Sequence, residues 1–160
     1  MIFYMWRLES RTKTTETFLK LGNFSVPRAL STLALTVDSN QYAQLIGWID
    51  LRVSSSGLKI RNLGHLSACD ITTLYAESGA LIYPSLFESY GLPLLEATSF
   101  GLPIIASELD YVRDVSDPVF SFDPTSAVSI ARSVKRYLGR KDRLAHHDAW
   151  RVLGSNPKSH

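Results

Sequence analysis

Two glutamates, Glu88 and Glu96, are separated by seven residues that include Tyr90, Gly91, Leu92 and Pro93. A carboxylate accepts hydrogen bonds from hydroxyl groups and is acceptor-only when ionised. Between the two, Gly91 permits a backbone turn that a residue with a Cβ resists. Pro93 suits the first position of a helix, where a missing N–H costs nothing. Main-chain N–H groups at a helix N-terminus lack intrahelical partners and share the positive end of the helix dipole. Such a turn can hold a phosphate or a sugar hydroxyl with main chain alone. Helical side chains tilt towards the N-terminus, so Glu96, about one turn in, can lean back over the turn. Glu88 sits on the loop on the other side of Gly91. The pattern is two carboxylates flanking a cradle of N–H donors.

The elements that must position these groups lie on either side. Leu81, Ile82 and Tyr83 are apolar without alternation, as in a strand covered on both faces. Pro84 and Ser85 end it, because proline cannot donate to a ladder. Pro93 pushes Leu92 out of the α region, so the helix is expected to begin at Pro93 and run towards Gly101. A second Gly-Leu-Pro, at Gly101, closes that helix with glycine at the C-terminal cap and Pro103 barring continuation.

Strands are expected at residues 2–6 (ending at Arg7), 30–37, 58–63, 103–107 and 119–122. Helices are expected at 16–21, 42–53, from Asp70 through Tyr75, at 111–115 (a helix or a turn) and at 125–138. The stretch 54–57, Ser-Ser-Ser-Gly, reads as a turn, and the chain from Gly139 as a polar tail that frays at its end. Strands alternating with helices imply an α/β fold, a single Rossmann-like, doubly wound parallel sheet with helices on both faces.

Composition bounds the function. The chain has 160 residues, 45% of them hydrophobic, which is one ordinary globular domain. A net charge of +2 implies no nucleic-acid surface. The lone Cys69 offers no disulfide partner and no zinc cluster, which suits a reducing compartment. No apolar run approaches the roughly 20 residues that span a bilayer, and the apolar start at Met1 to Trp6 has neither a basic leader nor a cleavage site.

The run Pro84-Ser85-Leu86-Phe87-Glu88-Ser89-Tyr90-Gly91-Leu92-Pro93-Leu94-Leu95-Glu96-Ala97, followed by Gly101-Leu102-Pro103-Ile104-Ile105-Ala106-Ser107, resembles the donor-binding signature of the family 4, or group 1, retaining glycosyltransferases. The resemblance implies a GT-B architecture, in which an N-terminal acceptor domain and a C-terminal nucleotide-sugar domain face each other across a cleft. This chain resembles the C-terminal half: residues 1–139 as the Rossmann-like nucleotide-sugar-binding domain, 140–160 as a C-terminal helix and polar tail, and the acceptor domain absent.

By the same resemblance, Glu96 would bind the ribose hydroxyls and Glu88 would face the transferred sugar. The N–H groups of Tyr90, Gly91 and Leu92 would contact sugar hydroxyls or phosphate, and Gly64 and His65 would lie where the base sits. Arg7 and Lys13 would neutralise the diphosphate leaving group. Trp6 replaces the glycine that the family has before its arginine, Thr14 replaces the asparagine after its lysine, and Arg11 is a rival for either role. No cofactor and no metal are expected, since Arg and Lys can do that electrostatic work and no Asp-x-Asp pair is present. The partner implied is a UDP- or GDP-linked sugar, the reaction hexosyl transfer with retention, and the setting cell-surface polysaccharide or lipopolysaccharide synthesis, cytoplasmic or at the inner face of the membrane through peripheral association. The isolated domain is expected to transfer little.

Plainer readings stand beside these. Glu88 can be a solvated loop residue, Glu96 a charge suited to a helix N-terminus, Arg7 and Lys13 surface charges, His65 a loop residue, and Phe87 and Tyr90 packing. A non-catalytic nucleotide- or anion-binding Rossmann-like module is the alternative function. A two-carboxylate glycosidase is a third, disfavoured because the glutamates flank a helix N-terminus.

Overall fold

The computed structural model of the chain describes residues 2–7, 32–56, 59–86 and 90–154. The strands are β1 (Ile2–Arg7), β2 (Thr32–Thr36), β3 (Lys59–Asn62), β4 (Leu81–Tyr83), β5 (Ile104–Ser107) and β6 (Phe120–Phe122). The helices are α1 (Ala43–Ser56), α2 (Ala68–Glu77), α3 (Leu92–Ser99), α4 (Asp110–Val115) and α5 (Ala127–Gly154). The helix expected at 16–21 lies outside the described residues.

Among the described residues the strands pair in parallel. β1 pairs with β2 from Ile2 against Thr32 to Arg7 against Thr36, with a register shift between Phe3 and Met5. β2 pairs with β3, β4 with β5, and β5 with β6. Two three-stranded ladders result, β1-β2-β3 and β4-β5-β6. β1 packs against β4, which gives the doubly wound order β3-β2-β1-β4-β5-β6 and puts the crevice of such folds beside β1 and β4.

Side-chain alternation divides the core between two faces. Leu35, Ile82, Ile105 and Phe122 point to one face, where Leu45 and Ile49 of α1 and Ile130, Ala131, Val134, Tyr137 and Leu138 of α5 cover them. Ala34, Leu81, Tyr83, Ile104 and Ala106 point to the other, under Leu74 and Tyr75 of α2, Leu94 and Ala97 of α3, and Val112 of α4. The three strand residues 81–83 are all buried because helices lie on both sides. The Tyr137 hydroxyl donates to the Gly79 carbonyl at 2.6 Å, tying α5 to the turn that feeds β4.

Several element ends differ from the sequence expectation. α1 runs through Ser56 rather than turning at Ser54: the Ser54 hydroxyl donates to the Asp50 carbonyl one turn back, at 2.9 Å, and so stays inside the helix. Ser67, not Asp70, opens α2. Its hydroxyl accepts from the Asp70 N–H while the Asp70 carboxylate accepts from the Ser67 N–H, a complete capping box. α3 begins at Leu92, one residue before Pro93, since Gly91 already turns the chain and its carbonyl accepts the first helical bond, from Leu94. α5 does not stop at Leu138 but runs on to Gly154, 28 residues in all from Ala127. Gly139 is exposed, and one solvent-facing glycine costs only about 1 kcal/mol in a helix of otherwise good formers.

Candidate functional site

The carboxyl edge of the sheet is built from main chain and short side-chain ties. Asn62, the last residue of β3, accepts from the Val37 N–H at 2.9 Å and donates to the Val37 carbonyl at 3.0 Å, locking the ends of β2 and β3 together. The same Oδ1 accepts from the Gly64 N–H at 3.3 Å, which starts the turn carrying His65. Beyond β4, the Tyr111 hydroxyl donates to the Ser85 carbonyl at 3.2 Å and holds the beginning of the next loop against α4.

That loop returns at Gly91. Its φ of 61° and ψ of 36° are left-handed, and glycine is the residue that adopts them without strain. A Cβ there would also meet Leu94 Cδ1 at 3.2 Å and Val115 Cγ2 at 3.5 Å. The N-terminus of α3 has no side-chain cap. The N–H groups of Leu94 and Leu95 both go to the Gly91 carbonyl, at 2.8 and 3.4 Å, and Pro93 has no N–H. What the turn can offer a ligand is therefore the N–H groups of Tyr90, Gly91 and Leu92. Tyr90 and Leu92 are 70% and 56% exposed, so their side chains stand out from the fold around this turn.

Glu96 is exposed, yet one of its oxygens is held. The Tyr75 hydroxyl donates to Glu96 Oε2 at 2.9 Å. It also lies 3.4 Å from the carbonyl of Pro93, three residues earlier in α3. One tyrosine hydroxyl thus lies within reach of both the Glu96 carboxylate and the Pro93 carbonyl of the first turn. The Tyr75 ring is 2% exposed and stacks on Phe100, with centroids 5.6 Å apart. Tyr75 lies along α3 from its C-cap residue Phe100 to its first turn.

Parallel strands carry the other expected residues towards the same edge. Arg7 is the last residue of β1, opposite Thr36, and only its backbone is described. Gly64 and exposed His65 follow β3, two strands from β1. Glu88, Lys13 and Arg11 lie outside the described residues. Among the described residues, no three His, Cys, Asp or Glu side chains gather where they could hold a metal ion, and no helix is long and apolar enough to cross a membrane.

Sequence reasoning missed Tyr75, Asn62 and Tyr111 as supports of this edge. The one signal for Tyr75 was its chemistry: a tyrosine on the apolar face of a helix must find a partner for its hydroxyl.

With this geometry in place, the comparisons with known proteins converge. A family model described as "Glycosyl transferases group 1" matches residues 48–149, and the chain belongs to that family. It is 32% identical over 97 residues to the O-antigen chain mannosyltransferase B of Escherichia coli, a match covering 60% of this chain and 24% of that protein. It superposes on the C-terminal domain of a group 1 glycosyl transferase from Francisella tularensis with a TM-score of 0.73 at 18% identity, over 86% of this chain and 75% of that one. It also superposes on the Anabaena protein HepE in complex with UDP and glucose, with a TM-score of 0.69 at 19% identity, over 86% of this chain and 38% of that one. The chain spans about a quarter of the length of the mannosyltransferase it matches.

Proposed function

We propose that this chain is the donor-binding domain of a retaining glycosyltransferase that moves a hexosyl unit from a nucleotide diphosphate sugar to a polysaccharide or lipopolysaccharide acceptor. The observation that carries the reading is Glu96, held by the Tyr75 hydroxyl about one turn into α3, the helix that the uncapped left-handed turn at Gly91 opens. A carboxylate offers acceptors to two neighbouring ribose hydroxyls, and such charge-assisted bonds are strong. The N–H groups of Tyr90, Gly91 and Leu92 then meet the sugar or phosphate oxygens, and Gly64 and His65 flank the base. Glu88 faces the transferred sugar, and Arg7 and Lys13 stabilise the diphosphate as its bond to the anomeric carbon breaks, where charge develops. The reaction needs no metal in this scheme.

The O-antigen mannosyltransferase relative supports surface-glycan assembly with mannose as a candidate sugar, and HepE with UDP and glucose supports a nucleotide-linked hexose. Action at the cytoplasmic face of the membrane belongs to the same reading; the exposed lone Cys69 suits that reducing side. Calorimetric titration with UDP, GDP and ADP, each with and without its sugar, tests the proposal. Saturable binding of one nucleotide, strengthened by its sugar and weakened about ten-fold or more in Glu96→Ala, is expected, and it names the base. Binding that ignores the sugar would replace the proposal with a non-catalytic nucleotide module, and no binding would refute a donor site in this chain.

A further inference from the structure

We infer that Tyr75 is a positioning residue for ligand recognition by Glu96, an inference that rests on the donor-site reading above. A glutamate on an exposed helix face ordinarily samples several rotamers, and a ligand must then select one. Here the Tyr75 hydroxyl holds Oε2 at 2.9 Å. The tyrosine itself cannot move: its ring is 2% exposed, packed in the core with Leu94 and Ala97, and stacked on Phe100. The rigid core thus fixes the direction of a carboxylate that stands in solvent. Oε1 and the remaining lone pair of Oε2 then face outwards at a set angle, which is what recognition of two vicinal hydroxyls requires.

The plain competitor is that Glu96 merely satisfies a buried hydroxyl, with the Pro93 carbonyl at 3.4 Å as a second acceptor. The two differ in one readout: selectivity for ribose. Tyr75→Phe keeps the ring, the stack and the core while removing only the hydroxyl. The test titrates wild type, Tyr75→Phe and Glu96→Ala with whichever of UDP, GDP or ADP binds, and with its 2′,3′-dideoxy counterpart, after melting curves confirm that each variant is folded.

Wild type is expected to prefer the ribose form by about ten-fold or more, and Glu96→Ala to bring that preference near unity. Tyr75→Phe is expected to cut the preference about three- to ten-fold while leaving dideoxy binding unchanged. The double variant should match Glu96→Ala alone, because the tyrosine acts through the glutamate. If Tyr75→Phe keeps the wild-type preference, or weakens both forms equally, the tyrosine is structural and the inference is overturned while the donor site stands. If Glu96→Ala keeps the preference, or if wild type binds none of the nucleotides, the donor-site reading falls and the inference falls with it.

Discussion

The tripeptide Gly-Leu-Pro occurs at both ends of α3, and the two copies do opposite work. Gly91 and Gly101 have nearly the same left-handed backbone, φ 61° and 63°. At the far end, Gly101 completes a Schellman motif: its N–H donates to the Thr98 carbonyl at 2.9 Å and the Leu102 N–H to the Ala97 carbonyl at 2.9 Å. Leu102 turns into the core at 8% exposure and Pro103 leads into β5. At the near end the same three residues leave Leu92 56% exposed and the helix start without a side-chain cap. One copy is closed on itself by main-chain bonds. The other is left open at the edge of the sheet where doubly wound folds bind ligands. Identical residues thus become scaffold or candidate site according to which end of the helix they occupy.

The leucines give the largest expected contrast. Leu102→Ala opens a cavity under α3 and is expected to cost about 2–3 kcal/mol, whereas Leu92→Ala removes an exposed side chain and should stay within about 0.5 kcal/mol. Urea unfolding of the two variants measures both. Equal losses would mean that the two ends of α3 are alike in packing.

The glycines sharpen the comparison. Each Gly→Ala change forces a Cβ into a left-handed conformation, at about 1–2 kcal/mol. At Gly101 that is the whole effect, because nothing lies within 4 Å of the added carbon. At Gly91 the new methyl also crowds Leu94 and Val115, so the turn itself must shift. Gly91→Ala is therefore expected to lower nucleotide affinity at least ten-fold, and Gly101→Ala to lower stability while leaving affinity unchanged. Nucleotide titration beside thermal melts separates the two.

Much of this was legible in the residues, and the remainder was hidden for identifiable reasons. Pro84, Gly91, Pro93, Gly101 and Pro103 act through their own backbone restrictions, so strand end, turn and helix could be placed locally. Where a polar side chain settles a boundary, the residue type alone is ambiguous. Ser54 bonds backwards and prolongs a helix, while Ser67 bonds forwards and starts one. Gly139 resembles a stop, but whether a glycine stops a helix depends on what it faces. The tie from Tyr75 to Glu96 spans 21 residues and exists only once α2 and α3 are packed on the same side of the sheet. No local periodicity encodes it.

Two other helix starts, those of α2 and α5, extend the comparison between closed and open ends to pH. α2 carries its capping box, and at the start of α5 the Ser126 hydroxyl accepts from the Ser129 N–H at 3.3 Å. Just before it, Asp123 Oδ1 accepts from the Thr125 hydroxyl at 2.7 Å and from the Thr125 N–H at 2.8 Å. These bonds, the side-chain one first, hold the Asp123 carboxyl below its ordinary value of 3.8. A depressed carboxylate lends stability that is present above the unfolded value and lost as pH falls through the folded one. The advantage of wild type over Asp123→Asn in melting temperature should therefore be constant at neutral pH and shrink below about pH 4. It should be the smallest of the three effects, because Asp123 is at the surface and solvent screens it. An advantage of wild type that stayed level down to pH 2 would show that the Asp123 bonds contribute nothing to holding α5, and that side-chain closure is not what distinguishes this end from the open one.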